Sequence, residues 1–340
     1  MNHTSVKDLA AGAQITGRFL IIEAKLLTAR NGPYWSLTLQ DATGRVEAKI
    51  WSPASQQFSD LASGQFIEAF GAVESFRDQP QLNIQRLDLL APEAMDLASF
   101  LPASSRPAED MLADLLELIR ERIEHKPLRQ FVLRVLRDPE IRERLLRAPG
   151  AKTVHHAYLG GLLEHTLSVC RLCMAMADHY KDEVDSQILL AAATLHDLGK
   201  AWELGGVVAT DYTDEGRLLG HITIGMEVLA PFFSKAKNLE PDLLLHLKHI
   251  ILSHHGELEF GSPRRPKTRE AFVLHYADNL DAKLATVRTA LQDAPENETA
   301  WSGYQRFLDR YLYQPKPTPT SSQAEKHEKG DDQCLLPLKA

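Results

Sequence analysis

The chain has 340 residues, 44% hydrophobic and 25% charged, with a formal net charge of −8. That is the composition of an ordinary globular protein long enough for two domains, and its negative balance argues against duplex binding through bulk charge. Its three cysteines, Cys170, Cys173 and Cys334, exclude a disulfide scaffold.

Cys170 and Cys173 form a C-x-x-C inside an apolar helical stretch. A zinc site would need a second pair, so they read as small core residues. No apolar run approaches the ~18 residues of a membrane span. The N-terminus Met-Asn-His-Thr-Ser-Val-Lys-Asp has no apolar signal-peptide core. A cytoplasmic protein without a membrane partner is expected.

Residues 1–92 read as β. Gln14 to Leu27 is rich in Ile, Leu and Phe, and Tyr34 to Gln40 alternates apolar with polar. Asp41-Ala42-Thr43-Gly44 is a turn signal, and Arg45 to Trp51 alternates again, which predicts a hairpin. A short helix over Ser55–Leu61 is followed by strands over Phe66–Ser75 and Gln81–Leu90. This pattern fits an OB-fold barrel. Residues 93–109, with Pro102 and Pro107, read as a linker. Residues 110–313 have helical periodicity, from Met111–Glu124 through Leu162–Tyr180, Ile188–Trp202 and Arg269–Leu291 to Ala300–Tyr313. Residues 314–340 read as a disordered tail. The expected fold is therefore multidomain, an OB barrel followed by an all-α domain.

The helical part is organised around Leu195-His196-Asp197-Leu198-Gly199-Lys200, which follows the apolar run from Ile188. Adjacent residues on a helix point about 100° apart. A His-Asp doublet can therefore grip a metal only with ligands from other helices. His165, His221, His254, His255 and Asp278 all lie in or beside apolar helical segments. A single helical histidine is usually a core or surface residue. Seven candidates in this order are harder to explain that way, and a buried Asp is rare without a partner. Imidazole and carboxylate ligands suit Mn, Fe, Co, Ni or Zn, and one carboxylate can bridge two ions.

The order His165, His196-Asp197, Asp278 resembles the HD superfamily of metal-dependent phosphohydrolases over roughly residues 150–285. The resemblance implies that these four residues hold a first ion. His221, His254 and His255 would hold a second, with Asp197 between the two and Lys200 contacting a substrate phosphate. The segments His155-His156-Ala157-Tyr158-Leu159-Gly160-Gly161, Ser253-His254-His255-Gly256 and Leu274-His275-Tyr276-Ala277-Asp278-Asn279 narrow the likeness. They resemble the YhaM-type 3'→5' exoribonucleases, whose architecture also places an OB-fold ahead of an HD domain. This likeness implies a hydrolase using two divalent metal ions, manganese favoured, on single-stranded RNA. The residues do not separate RNA from DNA. Hydrolysis of a small cyclic nucleotide is an alternative, weakened because the loop after His255 reads Gly-Ser-Pro-Arg-Arg-Pro where cyclic di-GMP phosphodiesterases of this superfamily carry Gly-Tyr-Pro. A third alternative, a non-catalytic nucleic-acid-binding module, is at odds with the complete ligand set.

Other candidates carry less chemistry on their own. Asp197 and Lys200 are the expected catalytic pair. His155 and His156 could reach a phosphate or simply cap a helix. Arg264, Arg265 and Lys267 could guide phosphates or be a solvated loop. Asp281, one turn after Asp278, could back a ligand imidazole or form a surface ion pair. His246 and His249 read as structural. In the β-domain, Phe19, Tyr34, Trp35, Trp51 and Phe76 are stacking candidates. Alternation sends roughly half of such residues into the core; Tyr34 and Phe76, near loops, are favoured as exposed. Arg77 and Arg86 could hold backbone phosphates. An exposed apolar helix face would permit a homo-oligomer.

Overall fold

The computed structural model describes residues 4–77, 79–91, 95–96, 99–101, 104, 106–151, 158–205, 211–292, 300–316 and 318. Its first strands are β1 (Gln14–Ala29), β2 (Gly32–Asp41), β3 (Gly44–Ile50), β4 (Phe66–Phe76) and β5 (Gln79–Leu90). They close into a barrel in the order β1-β2-β3-β5-β4, with β1 returning to pair with β4. The β3–β5 contact is parallel and joins Glu47–Lys49 to Gln81–Asn83. A single 3-10 turn, Ala54–Gln57, follows β3. This is the five-stranded OB barrel that the alternation predicts. Alternate residues fill it: Leu37, Leu39, Val46, Ala48 and Ile50 point inward with Phe19, Ile67 and Leu82.

The β2–β3 turn is held by a side chain. Asp41, buried, accepts the N–H groups of Thr43 at 2.7 Å and Gly44 at 3.1 Å through Oδ1. Its Oδ2 takes the Val6 N–H at 2.7 Å, tying the N-terminal segment to the barrel. Within the Pro-containing stretch after the barrel, Phe100 is buried against Leu20 and Phe66, and its carbonyl accepts from the Gln40 side chain.

The helices among the described residues are α1 (Ala108–Arg122), α2 (Lys126–Leu136), α3 (Pro139–Arg147), α4 (Gly161–His179), α5 (Ser186–Leu195), α6 (Lys200–Glu203), α7 (Asp214–Lys235), α8 (Pro241–Ser253) and α9 (Arg269–Gln292). A two-residue ribbon, β6 (Leu204–Gly205) with β7 (Asp211–Tyr212), joins α6 to α7. Each residue of α5 from Ile188 to Leu195 is buried, which makes this the central helix. Cys170 and Cys173 lie in the same core, and burial pushes the Cys170 thiol up to about 12. No described helix is long and apolar enough to cross a membrane.

Helix α3 lies within the span read as helical, and its start is a strong signal: Asp138 Oδ1 accepts from Glu140 N and Ile141 N, and Pro139 follows the cap. The helical reading needs two corrections. The predicted helix Ile188–Trp202 stops at Leu195, and residues 196–199 form a turn before α6. The predicted helix Ala300–Tyr313 is instead a pair of antiparallel bridges, Trp301 with Tyr313 and Gln305 with Arg310. Its aromatic residues recur near helical spacing, but aromatic side chains favour extended pairing. The Trp301–Tyr313 ring contact at 5.0 Å accompanies that pairing.

Asp41→Ala would leave the buried N–H of Val6 and the turn N–H groups without their charged acceptor. A loss of about 2–3 kcal/mol is expected, read as a lower Tm and a lower denaturant midpoint.

Candidate metal centre and nucleic-acid surface

The apolar helix α5 delivers its C-terminal end into the middle of the helical core. There the chain turns, with Lys200 N donating to Asp197 O at 2.9 Å and Trp202 N to Gly199 O at 3.0 Å. The turn packs directly on α7. A Cβ on Gly199 would lie 1.9 Å from the His221 carbonyl oxygen and 2.6 Å from Gly225 N. The glycine of the His-Asp-Leu-Gly-Lys segment is thus needed for close approach. Gly220, at φ 74° and ψ 155°, breaks α7 one residue before His221 and starts its second segment there. On the other side, α8 ends at Ser253, and His254 and His255 follow in the turn. His275 Nδ1 donates to the His254 carbonyl at 2.9 Å, and Gly256, at φ 81°, leaves room for the His275 ring.

These elements bring all seven candidate ligands together around Asp197. One group is His165 from α4, His196, Asp197 and Asp278 from α9; the other is Asp197, His221, His254 and His255. Within each group one ligand atom per residue lies within 4.8 Å of the others. Asp197 is 1% exposed and divides its two oxygens between the groups. Oδ2 lies 3.2 Å from His165 Nε2 and 3.3 Å from His196 Nε2. Oδ1 lies 3.4 Å from the Nε2 atoms of both His221 and His254. Asp278 Oδ1 sits 3.1 Å from His165 Nε2. Lys200 Nζ is 2.7 Å from Asp197 Oδ2.

The tautomers follow from what lies behind each ring. His196 Nδ1 faces the Ala193 carbonyl at 2.8 Å, His254 Nδ1 the Ile251 carbonyl at 2.7 Å, and His255 Nδ1 the Phe260 carbonyl at 2.8 Å. A carbonyl can only accept, so each Nδ1 carries a proton and Nε2 is the ring nitrogen turned toward the cluster. His165 Nδ1 faces the Asp281 carboxylate at 2.7 Å and His221 Nδ1 the Glu203 carboxylate at 3.3 Å. The Nε2 atoms of His196, His221 and His254 are buried without a hydrogen-bond partner, as is Asp197 Oδ1. Buried polar atoms are rarely left so, and lone pairs converging with carboxylate oxygens are what a divalent cation takes. The residues fit a metal.

The electrostatics agree. Burial opposes ionisation of Asp197, but Lys200 and His196 outweigh it and hold the carboxyl well below the usual range. Asp278 is likewise held low against burial, through His165 and His196. Burial works against a charged His165, yet Asp197, Asp278 and Asp281 together raise it well above the ordinary imidazole value. Burial lowers His221 and His254, and with the neighbouring His254 it pushes His255 down to about 4. Four carboxylates, from Asp197, Glu203, Asp278 and Asp281, surround this pocket; with Lys200 beside them they favour further positive charge.

On the barrel, Tyr34 stacks on Trp51 with ring centroids 4.6 Å apart. Lys49 Nζ lies 5.7 Å from the Tyr34 centroid, 5.3 Å from Trp51 and 5.4 Å from Phe76, and Arg77 Cζ is 5.3 Å from Phe76. Trp51 is 39% and Phe76 47% exposed. The result is a surface of aromatic faces studded with cations. Phe19 and Trp35, by contrast, belong to the barrel core. Trp51 was among the stacking candidates but not one of the two favoured as exposed, whereas Tyr34, favoured as exposed, is half-buried under its stack; Lys49 carried no signal in the sequence.

Two family models match the chain, an HD domain over residues 162–283 and an OB-fold nucleic acid binding domain over residues 14–90. The 3'-5' exoribonuclease YhaM of Bacillus velezensis is 36% identical over 289 residues, 84% of this chain and 90% of that protein. The Bacillus subtilis protein of the same name is 35% identical over the same shares. The chain belongs to the YhaM family of 3'-5' exoribonucleases. The Geobacillus member extends the match to 309 residues at 33% identity, 89% of this chain and 93% of its own length.

Among the other residues read from the sequence as contacts of this YhaM-family chain, His155 and His156 lie outside the described residues. Arg264 and Arg265 are exposed beyond the His254-His255 turn, and Arg265 pairs with Glu257 at 2.9 Å. Arg86 forms a surface pair with Asp88 at 3.4 Å. His246 Nε2 bonds Thr268 Oγ1 and His249 Nε2 accepts from Lys267 N, both holding α8 to the following loop. Asp281 backs His165, and Glu203, which had no place in the sequence reading, backs His221.

Gly199→Ala is expected to force α7 off the turn. Overpacking should cost about 1–3 kcal/mol and lower the metal content of the purified protein, checked by thermal melting and elemental analysis.

Proposed function

We propose that this chain is a metal-dependent 3'→5' exoribonuclease that hydrolyses single-stranded RNA to nucleoside 5'-monophosphates. The observation that carries the reading is the buried Asp197 carboxylate with one oxygen toward each of two histidine groups, in a chain related along most of its length to proteins named as 3'-5' exoribonucleases. His165, His196, Asp197 and Asp278 would hold one divalent ion. Asp197, His221, His254 and His255 would hold a second, and manganese is the favoured metal from the family resemblance. Two ions held this way supply activation of the attacking water and Lewis-acid stabilisation of charge at the phosphate.

The chain's own residues do the rest. Lys200 is kept cationic, because Asp197 outweighs the burial that would discharge it. Its ammonium stands beside Asp197 Oδ2, where a phosphate oxygen drawn to the site gains a fixed positive partner. The Lys200 and Asp197 side chains are 13% and 1% exposed, so bulk water screens that charge little. Asp197→Ala removes the carboxylate common to both groups. A fall in kcat of about three orders of magnitude or more is expected, measured as loss of the descending product ladder from a 5'-labelled single-stranded RNA in the presence of manganese. Wild-type rates in that variant would dismiss the assignment.

The barrel would hold the strand by stacking. Tyr34, Trp51 and Phe76 offer aromatic faces, and Lys49 and Arg77 lie where backbone phosphates could pair with them. Stacking is tolerant of base identity because every base has a π-face, which suits an enzyme that degrades rather than reads a sequence. Trp51→Ala and Phe76→Ala should each raise KM for a long single strand by about 5- to 150-fold, equivalent to ~1–3 kcal/mol per stacked base. Turnover of a dinucleotide too short to reach the barrel should stay unchanged, so the KM ratio between the two substrates tests the role.

A further inference from the structure

Behind the proposed ligands the five histidines are not supported alike. In the first group His196 leans on a main-chain carbonyl and His165 on the Asp281 carboxylate. In the second, His254 and His255 lean on carbonyls and His221 on the Glu203 carboxylate. Each group thus contains one histidine backed by a full negative charge.

Both carboxylates are built in. Glu203 is 9% exposed and its Oε1 also accepts the His221 main-chain N–H at 3.0 Å. Its carbonyl takes Thr213 N at 2.9 Å, and Gly216 packs so closely on it that a Cβ there would come within 2.2 Å of the Glu203 oxygen. Asp281 receives a hydrogen bond from Ser168 Oγ on its other oxygen. Neither side chain reaches the interior of the cluster as one of its ligand atoms.

A carbonyl or a carboxylate at Nδ1 equally fixes the tautomer and the plane of the ring. A carboxylate also makes Nε2 a stronger donor, and losing such a partner typically costs about ten- to a hundredfold in metal affinity. We infer that Glu203 and Asp281 are positioning residues that set the affinity of the two halves of the centre independently, Glu203 through His221 and Asp281 through His165. The inference rests on the two-ion reading above. It makes the chain's two metal affinities separately adjustable without touching a ligand.

The test is a manganese titration of the full-length protein, by calorimetry and by the electron paramagnetic resonance signal of free Mn2+, on the wild type, Glu203→Gln and Asp281→Asn. Both variants keep an oxygen that can accept from the imidazole and remove only the charge. The wild type should take two ions. Each variant should bind one ion as the wild type does and the other about ten- to a hundredfold more weakly. Which ion is affected is read in a His254→Ala background, where the second half is already disabled: Glu203→Gln should then change nothing, and Asp281→Asn should weaken the remaining ion. A merely structural role would leave both affinities in place. Two ions at wild-type affinity in both variants, or equal weakening of both ions by either one, would overturn the inference. A wild type that binds fewer than two ions would instead overturn the two-ion reading, before any variant is made.

Discussion

A carboxylate in the interior of a helical core is the constraint on which this structure turns. Ionised and nearly inaccessible to water, Asp197 is stable only beside positive charge, which Lys200 supplies at Oδ2 and a bound cation would add. Five helices, or the turns that end them, supply its surroundings: His165 from α4, His196 beside it, His221 from the break in α7, the pair after α8, and Asp278 from α9. The apolar character of α5 follows from the same requirement. A helix buried along eight consecutive residues places its end deep in the core, where the low dielectric strengthens every interaction of the charges gathered there.

Precision at the centre comes from main chain as much as from side chains. His196 keeps helical backbone angles at the end of α5, and the turn at residues 196–199 then carries the chain into α6. Gly199 and Gly256 give up side chains so that α7 and the His275 ring can close in. The helix-end carbonyls of Ala193 and Ile251, which lack partners within their own helices, are used to hold imidazole rings. An orphan group at a helix terminus thus becomes part of the candidate metal centre's frame.

The acidic chain does not attract RNA by bulk charge, so affinity has to be local. On the proposed reading the barrel would supply it through aromatic faces and a few well-placed cations, each modest in energy, and the helical centre would supply charge stabilisation at the phosphate. That division would leave the chemistry independent of base identity, since neither stacking nor phosphate contact reads a sequence.

Much of this was legible in the residues. Period-two alternation and the Asp41-Ala42-Thr43-Gly44 turn defined the barrel strands, because one face of each strand must be buried. The seven candidate ligands stood out because His and Asp are unusual in apolar helical segments. Three-dimensional packing decided the rest. The segment from Trp301 to Tyr313 carries aromatics at a spacing compatible with a helix, and cross-strand pairing prevailed. Phe19 and Trp51 are both aromatic, yet Phe19 lies inside β1 and fills the barrel, while Trp51, just past the end of β3, is exposed. Glu203 gave no signal, since a glutamate in a helix is ordinary until the fold sets it behind His221. Sequence by itself determined which side chains could bind metal and which strands could close. Tertiary structure alone decided which oxygen of Asp197 faces which histidines and which carboxylates stand behind them, because those contacts join residues distant in the chain whose proximity no local pattern encodes.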